Sequence, residues 1–183
     1  MINKYIATIC LLSIAGIVLQ AQSIAFQDPG SDSVHAYSEV KSTWVSQVYK
    51  GHDDNISIKK MGDNFYFHDR GAQQFNVFNI ATGDWSGQKY TCEDHDLRTK
   101  IGDKALLMHD EKAKQVFAFS SEANRWSQIT YTGDPDDIDL RSAGDNLYFI
   151  DKSENTIHFF IASKGMWVKK TYEGEDKYIK VFH

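Results

Sequence analysis

Cysteine is almost absent from this chain, which holds two among 183 residues. Cys10 falls in an apolar N-terminal stretch that is expected to be removed. Cys92 then stands alone, and the mature protein has no intrachain disulfide. Basic residues are outnumbered: 20 Lys and Arg face 25 Asp and Glu, for a net charge of −5. With no basic stripe anywhere, nucleic acid is excluded as a partner. Helical periodicity is missing throughout the mature chain. So are the short motifs of catalysis: there is no HExxH, no GxSxG, no phosphate-binding glycine loop and no Cys–His pair with an orienting acid. No catalytic residue is assigned, although fold alone does not exclude an enzyme. After residue 21 no apolar run is long enough to cross a bilayer.

Residues 1–21 read as a secretory signal peptide. Lys4 supplies a short positive region, and Ile6 to Leu19 form an apolar stretch interrupted only by Thr8, Ser13 and Gly16. Small Ala21 precedes the expected cut. An uncleaved N-terminal anchor is the alternative. The protein is expected to be exported, secreted or periplasmic, with residues 22–183 forming one domain. Asn55-Ile56-Ser57 is a glycosylation sequon, relevant in a eukaryotic source.

What the chain does have is a repeat. Trp44, Trp85, Trp126 and Trp167 are each 41 residues apart, and Tyr49, Tyr90, Tyr131 and Tyr172 follow at the same beat. Asp28, Asp69, Asp110 and Asp151 keep it too. Within one unit the signals are those of strands. Ile56 and Ile58 alternate with polar residues, Gly62-Asp63 turns into the aromatic run Phe65-Tyr66-Phe67, and Asp69-Arg70-Gly71 turns again. Phe75 to Phe78 form a third strand, and Thr82-Gly83-Asp84 leads into a fourth from Trp85 to about Tyr90. Four short antiparallel strands per unit make a propeller blade. The fold expected is all-β, a four-bladed β-propeller with blades at 22–54 plus 178–183, 55–95, 96–136 and 137–177. The mature chain begins at a second strand and stops after a first, so 178–183 is expected to pair into the N-terminal blade and close the ring. Closure removes two exposed sheet edges and implies a monomer. Cys92 takes the place held by Gly51, Gly133 and Gly174, which marks a small-residue position and not a reactive thiol.

The stretch GDNFYFHD, continued by QQFNVFNIATGDW, resembles a kelch repeat in its turn, apolar second strand, aromatic third strand, polar turn and tryptophan. The resemblance runs over nearly all the mature chain and implies a propeller. Where kelch repeats carry Gly-Gly, this chain has Gln27-Asp28, His68-Asp69, His109-Asp110 and Ile150-Asp151.

Strand direction places the loops after second and fourth strands on one face. That face receives Asp53, Asp54, Glu93, Asp94, Asp96, Asp134, Asp136, Asp137, Glu175 and Asp176, together with the four repeated aspartates. Such a ring suits a basic protein surface, because complementary charge speeds association and fixes orientation. An inhibitor- or immunity-like role fits the size and charge. The alternative is a ligand at the mouth of the central channel, either a carbohydrate or one held through calcium by converging oxygens. No cofactor is evident otherwise, and a carboxylate-based lyase or hydrolase is a third reading. Against all three, Asp favours turns for its own sake. The repeated tryptophans and tyrosines read as packing residues. His68 and His109 share a register, but Gln27 and Ile150 hold it in the other blades, which excludes a fourfold histidine site.

Overall fold

The computed structural model describes residues 24–175 and 179–181. It holds fifteen strands in four antiparallel sheets, taken in chain order. The first sheet contains β1 (Ala25–Asp28), β2 (Ser33–Ser38) and β3 (Thr43–Val48). The second runs β4 (Lys59–Met61), β5 (Asn64–Asp69), β6 (Gln74–Asn79) and β7 (Asp84–Lys89). The third runs β8 (Leu97–Ile101), β9 (Ala105–Asp110), β10 (Gln115–Ser120) and β11 (Arg125–Thr130). The fourth runs β12 (Ile138–Ala143), β13 (Asn146–Asp151), β14 (Thr156–Ile161) and β15 (Met166–Thr171). Every strand pairs with its sequence neighbour, as in propeller blades.

The repeat is written in the backbone as well as in the letters. One left-handed turn position recurs at Asp32, Gln73, Lys114 and Asn155, with φ between 46° and 51°. A second recurs at Ser42, Gly83, Asn124 and Gly165. Side chains of the inner strands of the second and third sheets bury on both sides, because each of these sheets is packed between two neighbours. Phe65, Phe78 and Trp85 of the second sheet meet Ala36 and Val45 of the first. Met61, Tyr66, Val77 and Tyr90 meet Leu106, Met108 and Phe119 of the third. Val116 and Tyr131 meet Ile138, Phe149 and Trp167 of the fourth. Sheets also approach closely through backbone: a Cβ on Gly71 would stand 2.5 Å from Gly51 N and Lys50 O, so only glycine fits there.

Among the described residues the first sheet has three strands. The expected pairing of 178–183 into it falls largely outside them: Tyr178, Phe182 and His183 are not described, and the last two are the counterparts of Lys59 and Lys60 in β4. Ile179 and Val181 pack on the fourth sheet, with Tyr148, Ile150, Ile157, Phe159 and Tyr172. The reason lies in register. Ile179 and Val181 are the counterparts of Ile56 and Ile58, which likewise pack back on the preceding sheet, beside Val34 and Tyr49 or Ala36.

Candidate binding face

Three short 3-10 turns, Asp53–Asn55, Asp94–Asp96 and Pro135–Asp137, link consecutive sheets at equal repeat positions. Each brings two acids or more to the rim. The tyrosine four residues before holds the turn in place at two of them: Tyr49 donates to Asp53 Oδ1 at 2.5 Å, and Tyr90 to Asp94 Oδ1 at 2.6 Å. Burial first, and then the acceptor carboxylate, push both tyrosine pKa values up. At the third turn Asp134 caps instead, accepting Asp136 N at 3.1 Å.

The ten candidate acids therefore separate. Asp53, Asp94 and Asp134 are turn-holding groups. Asp94 also lies 3.5 Å from Arg70 Nε and 3.8 Å from His68 Nε2. Asp96 lies 3.3 Å from His95. Asp54, Glu93 and Asp136 are exposed and Asp137 is half-buried; their carboxylates point out from the three turns. Glu175 is exposed, and Asp176 lies outside the described residues.

The repeated aspartates have a different place. Asp69 is 1% exposed and accepts from Lys50 N at 2.8 Å, Gly51 N at 2.9 Å and Ala72 N at 3.0 Å. It joins its own hairpin to the chain leaving the preceding sheet. Asp110 does the same with Thr91 N and Ala113 N, at 2.6 and 3.1 Å. Asp151 takes Ser153 Oγ and Glu154 N. Among the described residues no sheet precedes Asp28; it accepts from its own turn, Ser31 Oγ and Gly30 N, which lower its pKa.

Sequence reasoning missed the cations on this face. Arg98 reaches across to the third turn, donating to Pro135 O at 2.6 Å and Ile138 O at 2.8 Å, with Glu111 2.9 Å from its Nε. Its register counterparts are Ser57, Asp139 and Lys180, so only one other repeat carries a cation there. Lys59, His68 and Arg70 join Asn55, Ser57, Tyr66 and Thr99 around a cavity of about 220 Å³ beside the first strands. His68 and His109 do not converge on one site. Each is bonded within its own blade, to Tyr90 at 2.5 Å and Tyr131 at 2.6 Å. Burial, with Arg98 nearby, lowers the His109 pKa to about 4.

Ser46 Oγ lies 2.7 Å from His35 Nδ1, and His35 Nε2 lies 3.7 Å from Asp28. The second distance is too long to orient an imidazole, and Asp28 is held by its own turn, so this is not a nucleophile relay. Among the described residues no group of three or more His, Cys, Asp or Glu is placed to hold a metal ion.

No protein-family model matches the chain, and no curated protein matches it in sequence. Solved structures do match in shape. Virginiamycin B lyase from Staphylococcus aureus is 12% identical over 81% of this chain and 52% of its own, with a TM-score of 0.39. A streptogramin B lyase is 14% identical over 85% and 53%, TM-score 0.39. Hsv2 from Kluyveromyces marxianus is 9% identical over 84% and 58%, TM-score 0.40. The chain thus spans a little over half the length of these neighbours, which are β-propellers. The protein is an all-β, four-bladed propeller. Among the described residues no helix is long and apolar enough to cross a membrane.

Proposed function

We propose that this chain is an exported binding module, built from kelch-like repeats, that meets a basic protein surface through the loop face. The observation that carries this is the display of Asp54, Glu93, Asp136 and Asp137 at the rim, of which Asp54 and Asp136 share one repeat position. These acids stand on three equivalent turns, held by tyrosine–aspartate hydrogen bonds and an aspartate cap on rigid sheets. Rigid presentation lowers the entropy lost on binding, and a field of one sign steers a partner of the other. An inhibitor-like role, in which the acidic rim covers a basic site, follows from the same features.

The test is capture from the native exported fraction by the wild-type chain and by a variant carrying Asp54→Lys, Glu93→Lys, Asp136→Lys and Asp137→Lys. A stoichiometric protein held by the first and lost by the second supports the reading. The same proteins recovered by both, or none by either, would end it. The polar cavity beside Tyr66 and Arg70 supports a second reading, a small sugar-like ligand. A rise in melting temperature with mono- or disaccharides, lost in Arg70→Ala, is the result that reading requires.

A further inference from the structure

The two ends of the row of sheets are complementary. The second, third and fourth sheets each bury one face against the sheet before, through residues such as Phe67 with Trp85 or Phe149 with Trp167. The first sheet carries the same face in the same register, uncovered: Ile24 is 55% exposed, Phe26 46% and Trp44 46%. These side chains already form a packed surface. Phe26 stacks on His35 at 5.0 Å, and Trp44 meets Phe26 and Tyr37 edge-on at 5.2 and 5.5 Å.

At the far end the outer face of the fourth sheet is half covered. Ile179 and Val181 lie over Tyr148, Ile150 and Ile157. Beyond them an apolar groove of about 270 Å³ stays open between Phe159, Val168 and Val181. Val168 is 40% exposed. Register says what belongs there. Val168 is the counterpart of Val45, whose carbonyl receives Trp85 Nε1 at 3.1 Å, and the counterpart of Trp85 is Trp44. Among the described residues, one end presents Ile179–Val181 with no sheet packed after it, and the other a three-stranded sheet with no first strand. Within one chain no hydrophobic cluster of described residues joins the first sheet to the fourth.

We propose that the occupant of this groove is a second copy of the chain. Phe26 and Trp44 of each copy seat against Phe159 and Val168 of the other, and Ile179–Val181 of each lies along β1 of the other. Head-to-tail contacts of this kind close when a rotation brings the last copy back to the first. With four sheets per chain, two copies make eight, within the roughly 4–8 blades at which propeller rings close, whereas three copies exceed it.

The test is the solution mass of the full chain by light scattering at micromolar concentration, with Trp44→Lys and Val168→Lys. Both substituted side chains are exposed, so each variant is expected to keep the wild-type β-sheet circular dichroism. The wild type is expected at twice the chain mass, and each variant, with self-association weakened about thirtyfold, at one. An equimolar mixture of the two variants regains double-mass species, because one of its two interfaces is wholly wild-type. A wild type of single mass overturns the proposal, whether the ring closes on itself or another segment covers the face. A variant of unchanged mass, or a mixture that stays single, overturns it equally.

Discussion

Trp85 of the second sheet donates its indole N–H to the carbonyl of Val45 in the first, at 3.1 Å. The same ring lies edge-on to Phe67 and tilted against Phe78, at 5.4 and 5.2 Å. One residue thus couples two sheets by a directional bond and by apolar contact. Trp85→Phe keeps most of the contact and loses the bond, and is expected to cost about 1 kcal/mol in urea unfolding. Trp85→Ala loses both and is expected to cost about 3 kcal/mol. No measurable cost for Trp85→Phe would show that the hydrogen bond contributes nothing.

Asp69 is the polar counterpart of that coupling. Its buried carboxylate satisfies three backbone donors, two of them from the chain leaving the first sheet. Asp69→Ala leaves all three unpaired and is expected to destabilise by about 3 kcal/mol, measured by denaturant midpoint. Asp28→Ala, at the same register but bonded only within its own exposed turn, is expected to cost visibly less. A ranking in the opposite order would refute the inter-sheet role.

The sheets were legible in the sequence because a two-residue alternation, broken by Gly, Asp and Asn at a 41-residue beat, leaves a strand little choice of neighbour. The repeated aspartate was legible as a turn residue, but its partners were not. Lys50 N and Gly51 N are backbone donors, and backbone donors leave no mark on sequence. Arg98 left little signal because two of its counterparts are Ser57 and Asp139 and only Lys180 is also basic. The position of Ile179 and Val181 was half legible. Repeat phase names the counterparts, Ile56 and Ile58, yet it does not say which of two neighbouring sheets a short segment joins.

His109 makes stability depend on acid. It is fully buried, bonded to Tyr131, and its pKa is lowered to about 4 against about 6.5 in an unfolded chain. Between those values the unfolded state binds the extra proton and the native state does not, so stability falls as pH falls. The contribution is present above pH 6.5 and lost on the way to about 4, amounting to roughly 2–3 kcal/mol. Half-buried His68 and buried His158 shift the same way and steepen the trend. Urea midpoints taken from pH 7 to pH 4 should decline, and His109→Gln should flatten the decline. An undiminished slope in that variant would assign the effect elsewhere.

Cys92 should be silent in the native protein. It is 1% exposed, and burial, with the nearby Asp110, pushes its thiol up to about 12. Thiolate is the reactive form, so alkylation at pH 8 is expected to be slow when folded and fast in denaturant. Rapid native labelling would mean that the contact of second and third sheets around Cys92 opens readily.

The carboxylates of the rim should separate in a stability measurement before any partner is known. Asp94 accepts from Tyr90, whose phenol is buried and has its pKa raised, and it stands beside Arg70 and His68. Asp94→Asn weakens that acceptor and leaves Arg70 without its counter-charge, so a loss of about 1–2 kcal/mol is expected. Asp54, Glu93, Asp136 and Asp137 hold no such contacts, and Lys at any one of them should change stability by no more than about 0.5 kcal/mol. If the second group proves as costly as the first, the rim is structural throughout, and a binding role for it loses its support. If only Asp94 is costly, the four outward acids occupy the rim without a part in holding the fold. They are then the surface on which a partner's charge would be read.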